Sequence, residues 1–200
     1  MDEQTILWMI ILFTALFAVI LVLAGYFSWR QTKNIRILLG KEAKKRNGQV
    51  NKRWGNTELV FPYQDVSVTV QSTFNSEYSP PQTVVTALIN NKASEQFKIS
   101  RRIWGLGRFL ERNIISSGNS EFDNMFAIKG NDEHVIGRLV SLDVRQRLLD
   151  LEKRHPEMKL KGNNLSLTLA YIPKTEEEYD QAIDTILLLV DTFKNFKQIV

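Results

Sequence analysis

The 200-residue chain has no cysteine and two histidines, His134 and His155. Without thiols there is no disulfide framework, which fits a reducing compartment. Metal sites need three or four converging ligands, and two histidines do not supply them by spacing alone. Asp123, Asp132 and Glu133 lie near His134 in sequence, yet a solvated loop or helix start accounts for the same residues. His155, in EKRHPE, reads as the end of a helix. The phosphate loop G-x-x-x-x-G-K-S/T is missing, as is the G-x-S-x-G elbow of serine hydrolases. Gly105-Leu106-Gly107 lacks the third glycine of a dinucleotide loop. No catalytic residue, cofactor or metal ligand is assigned. No repeat, low-complexity tract or linker rich in Pro and Gly divides the chain.

A second absence is more informative. From Ile6 to Phe27 there is no charged residue, over 22 positions. A helix of that length spans about 33 Å, enough for a bilayer core. Trp8 stands near one end, with Tyr26 and Trp29 at the other, where amphipathic rings favour the headgroup layer. An export signal would begin with basic residues, whereas Asp2 and Glu3 precede this run. We read a retained transmembrane anchor over residues 1–29.

Charge returns with one sign. Arg30 to Arg53 holds nine basic residues against a single acid, Glu42, so this segment carries +8 and the rest of the chain −4. Basic flanks stay on the cytoplasmic side, which predicts an outer N-terminus and a cytoplasmic domain in the cell membrane. The charge sits where anionic headgroups would be, so Lys41, Lys44, Lys45 and Arg46 are candidate lipid contacts, and no specific nucleic-acid partner is expected. Ile35, Leu38, Leu39 and Ala43 form one stripe of a juxtamembrane helix over 32–46. The stripe lies either on the membrane or against the domain, and its small size favours the domain. Asn47-Gly48 is a natural stop. Residues 30–54 are thus expected as helix and connector, and 55–200 as the domain.

Within the domain, Val66, Val68 and Val70 alternate with polar residues, as in a half-buried strand. QTVVTALIN and QFKISRRIW supply two more strand candidates. FAIKG reads as a short strand, and MKLKGNNLSLTLAYI as a hairpin over Gly162-Asn163. Ser141 caps a helix with Val144, Leu148 and Leu151 on one face. Thr175 and three glutamates begin a terminal helix, whose stripe is Tyr179, Ile183, Ile186, Val190 and Phe193. The expected class is α+β, an antiparallel sheet with packed helices.

Arg101, Arg102, Trp104 and Arg108 combine cations and an aromatic ring, marking a possible interaction surface. Downstream, Phe122-Asp123, Phe126, Ile128, Gly130 and Asp132 make a compact loop, strand and tight turn. Phe122 and Phe126 are expected to plug the core, Asp123 to cap a turn, and Gly130 to adopt positive φ. This segment resembles an F-D-x-x-F-x-V/I-x-G-x-D stretch in a group of uncharacterised prokaryotic membrane-anchored proteins. The resemblance covers roughly Ser116 onward and implies a fold outline, not an activity. The expected function is a membrane-anchored, non-enzymatic interaction or accessory-subunit protein, with the bilayer and another protein as partners. The alternatives are a membrane-proximal domain binding a lipid or small ligand, and an enzyme with an unrecognised site.

Overall fold

The computed structural model describes residues 2–53, 56–74, 80–89, 96–102 and 114–197. The first element is a single helix, α1 (Glu3–Lys45), 43 residues long. The apolar run and the stripe below it are therefore one uninterrupted helix of about 64 Å. It ends where Asn47 takes φ 53° and the Gly48 N–H donates to the Ala43 carbonyl at 2.8 Å. A Cβ at Gly48 would lie 2.8 Å from both the Phe61 Cβ and the Val60 carbonyl, so the chain leaves the helix pressed against the sheet.

Among the described residues eight strands follow: β1 (Gln49–Arg53), β2 (Asn56–Tyr63), β3 (Val66–Thr73), β4 (Gln82–Leu88), β5 (Phe97–Arg101), β6 (Phe126–Gly130), β7 (Glu157–Lys161) and β8 (Asn164–Leu169). They form one sheet in the order β1-β2-β3-β4-β8-β7-β5-β6, antiparallel throughout. The first four strands are a meander. The β7-β8 hairpin then inserts between β4 and β5, turning at Gly162, whose φ of 58° suits a tight hairpin. The remaining α-helices among the described residues are α2 (Ser120–Met125), α3 (Glu133–Leu139), α4 (Leu142–Asp150) and α5 (Glu176–Lys197). The class is α+β. Segment 30–54, expected as a juxtamembrane helix and connector, carries the docked turns of α1 and, in place of part of the connector, the first strand.

Burial alternates along the strands and shows which face is covered. Val66, Val68 and Val70 of β3, Val85 and Ala87 of β4, and Leu165, Leu167 and Leu169 of β8 all point into the core. Against them lies α5 with Tyr179, Ile183, Ile186, Val190 and Phe193 buried, beside α1 on β1 and β2. Ile35, Leu39 and Ala43 are buried, so the amphipathic stripe of α1 docks on the domain. The opposite face of the sheet carries the more polar half of the alternation, with Val60, Val84 and Leu88 as apolar exceptions. Tyr179 brings its hydroxyl into the core, 2.8 Å from Ser72 Oγ, which lies 3.0 Å from Thr83 Oγ1. Burial pushes this phenol up to about 12.

Phe122 and Phe126 are fully buried, their rings stacked at 4.8 Å. Gly130 departs from expectation, because it is not in the left-handed region. It is constrained by space instead: a Cβ there would lie 2.0 Å from Ile136 Cδ1 and 2.8 Å from the Gln96 carbonyl. Asp132 caps α3, accepting from the Val135 N–H at 3.0 Å.

Candidate functional site: the seam of the long apolar helix and a charged cleft

Among the described residues one helix, α1, is long and apolar enough to cross a membrane, and its apolar window is wholly exposed. Trp8, Leu12, Phe13 and Val22 are each 68% exposed or more. A soluble core helix would bury such residues, so this surface is suited to lipid. Eight positions past Phe27, Ile35 enters the domain core.

The docked turns are held by charge as well as packing. Arg46 donates to Glu42 at 3.1 Å and, across to α5, to Asp180 at 2.6 Å and Asp184 at 3.0 Å. Lys45 also reaches Asp180, at 2.6 Å, and Lys41 pairs with Glu176. Burial would push the Asp180 carboxyl up, but hydrogen bonds from Lys45 and Arg46 outweigh it and hold it below the ordinary carboxylate range. The Glu42 side chain is 1% exposed, and its Oε1 has no hydrogen-bond partner among the described residues. Three of the four residues expected to face headgroups are thus engaged by acids of α5. Lys44 alone of the four is exposed with no ion pair among the described residues.

The second feature lies at the end of β5. Lys98, Ser100, Arg101, Arg102, His155 and Glu157 line an open cleft of about 550 Å³. His155 closes the turn after α4 with φ 47°, its Nδ1 3.1 Å from Arg101 Nη1. Arg101 pairs with Glu152 at 2.8 Å, and Lys98 with Glu157 at 2.8 Å. Opposite charges therefore neutralise much of this cleft locally. The structure brings Arg101 and Arg102 to one cleft; Trp104 and Arg108 lie outside the described residues. Neither His155 nor the acids of this cleft stood out in sequence as members of that surface, because they meet β5 only through the β5–β7 ladder.

Asp123 accepts from Ser116 Oγ at 2.7 Å and from the Ser117 N–H at 3.0 Å, tying the turn ahead of α2. Burial raises its carboxyl, but the bonds from Ser117 and Ser116 prevail and the net displacement is downward. His134 is exposed in the first turn of α3. Among the described residues, no three His, Asp or Glu side chains converge as they would on a metal.

No protein-family model matches the chain, and no curated protein matches it in sequence. Its fold is similar to the crystal structure of the mycobacterial trehalose monomycolate transport factor A, TtfA. That likeness has a TM-score of 0.54 and 11% identity, over 79% of this chain and 93% of the other. At such identity the similarity is one of fold.

Proposed function

We propose that this chain is a single-pass membrane protein whose cytoplasmic domain is a non-enzymatic accessory subunit of a membrane-bound, lipid-handling assembly. The observation that carries this reading is the continuity of α1 from an exposed apolar span into a buried, ion-paired seam. Such a helix holds the domain at the bilayer without a flexible tether. The basic segment behind the span supports the cytoplasmic orientation. The lipid context draws on the shared fold with a protein named as a trehalose monomycolate transport factor.

A second reading, that the domain itself holds a lipid or small ligand, draws on the same likeness. Against it stands the character of the described clefts. The cleft near Arg101 is open and rimmed by charged side chains, whereas small-ligand pockets enclose most of their occupant. The experiment is mild-detergent extraction of the full chain from its native membranes, with bound proteins and lipids identified together. A partner protein in fixed ratio supports the subunit reading. A monomer carrying one lipid per chain, with no protein partner, overturns it in favour of the second.

A further inference from the structure

On the open sheet face, Lys98 of β5 stands directly opposite Lys129 of β6 on one side and Lys159 of β7 on the other. The three share a face, since Phe97, Ile99, Ile128, Met158 and Leu160 take the buried positions between them. Neighbouring strands are about 4.8 Å apart, so three ammonium-bearing stems fall in a row about 10 Å long. Lys161, two positions along β7, extends the row. Glu157 pairs with Lys98 at 2.8 Å, whereas Lys129, Lys159 and Lys161 are exposed with no ion pair among the described residues. A cleft of about 300 Å³ is lined by all four lysines.

Like charges placed directly opposite destabilise a sheet. Lysines are common on edge strands, where they block unwanted strand pairing. That explains Lys129 on the edge strand β6, but β5 and β7 are interior strands. The row thus carries a stability cost that edge protection does not explain, and a ligand that supplies negative charge would relieve it.

We propose that this row docks an acidic, extended segment of a partner protein. The proposal rests on the accessory-subunit reading and names the chemistry of the partner. The bilayer is too far to be the occupant. The registers place Lys161, Phe97 and Gly130 at the same end of the sheet as the Gln64–Asp65 turn, the end reached by the C-terminus of α1. About 27 Å of helix separates that level from Phe27, several Debye lengths at physiological salt. Single-stranded nucleic acid needs exposed rings for its bases, and among the described residues the one ring lining this cleft, Phe97, is buried. An extended peptide laid across the strands brings successive carboxylates to successive lysines and needs no enclosed pocket.

The test uses the full chain in zwitterionic nanodiscs and a fluorescent peptide of alternating glutamate and serine. Lys129→Gln/Lys159→Gln/Lys161→Gln is expected to weaken peptide binding by about tenfold or more at low salt, while its melting temperature stays level or rises. Lys44→Gln/Lys153→Gln/Lys174→Gln changes the net charge equally and is expected to bind like the parent. No binding by the parent, equal weakening in both triple variants, or tighter binding of a single-stranded oligonucleotide than of the peptide would each overturn the proposal. A negative result here leaves partner recovery from native membranes unaffected, so the two readings fail separately.

Discussion

Replacing Arg46 by methionine tests the seam between α1 and α5. The guanidinium serves Glu42, Asp180 and Asp184, and lies over the Phe61 ring at 5.6 Å. Methionine retains an apolar stem against Phe61 and removes the charge. Asp180 keeps Lys45 at 2.6 Å, and Asp184, whose side chain is 46% exposed, turns to water. Glu42 has no such outlet, with its side chain 1% exposed. Removing one partner of a buried pair costs about 3–5 kcal/mol, and the nearby Lys45 ammonium argues for the lower end. At about 2–4 °C per kcal/mol for a chain of this size, the melting temperature falls by about 6–12 °C at neutral pH. A buried carboxylate without a partner escapes by taking up a proton. The deficit therefore shrinks on acidification, by up to about 1.4 kcal/mol per pH unit. Thermal unfolding of the parent, Arg46→Met, Glu42→Gln and the double variant, at about pH 7.5 and about pH 5.5, completes the cycle. Glu42→Gln is expected to restore most of what Arg46→Met loses. An Arg46→Met protein melting with the parent at the higher pH, or one that Glu42→Gln fails to rescue, would refute the argument.

Phe126→Ala removes one ring of the stacked pair and is expected to cost about 3–5 kcal/mol, lowering the melt by about 6–20 °C; a melt within a degree of the parent would place this pair outside the core. Asp123→Asn is expected to cost about 1 kcal/mol and His134→Ala almost nothing. Because the folded Asp123 carboxyl titrates below its ordinary range, its contribution is present above about pH 4 and is lost as pH falls. Asp123→Asn therefore flattens the acid limb of the stability profile, and an unchanged limb counts against the turn role. The full chain is expected to resist carbonate extraction, with a reporter fused after Val200 on the cytoplasmic side. Reporter activity outside, or a mature protein beginning near Gly25, would contradict the anchor topology.

Local patterns were legible where one element shows its face in its own residues. Val66, Val68 and Val70, the Leu165–Leu169 alternation and the stripe of α5 could each be read without knowing a neighbour. The stripe on α1 was legible too, but its charges were not. The acids that engage Lys41, Lys45 and Arg46 lie more than 130 positions later, and a flanking basic cluster reads equally well as lipid contact. The strand β2 was hidden by Pro62, which ordinarily argues against a strand with neighbours on both sides. In the sheet, β1 pairs only up to Val60, so Pro62 lies past the end of its neighbour on that side. The six-residue helix α2 is too short to show a period, although Asn119 caps it by accepting from the Phe122 N–H at 3.0 Å. Gly130 matters for a different reason from the one its own segment suggests: the Gln96 carbonyl, 34 positions earlier, approaches too closely for a side chain. The insertion of the β7-β8 hairpin beside β4 is likewise a non-local choice that no single segment encodes.

In the proposed anchor, α1 passes from Phe27 to Ile35 without a break and would act as a crankshaft between bilayer and domain. Adding one residue between those points would swing the domain about 100° around the helix axis, while adding seven would return it nearly to its original heading about 10 Å further out. The number of residues in this short stretch therefore sets the compass bearing of the sheet relative to any neighbour embedded in the same membrane. A partner that grips both the span and the domain would tolerate whole turns of extra helix far better than single residues. Evolution of such a pair would be expected to vary the composition of this stretch more freely than its length.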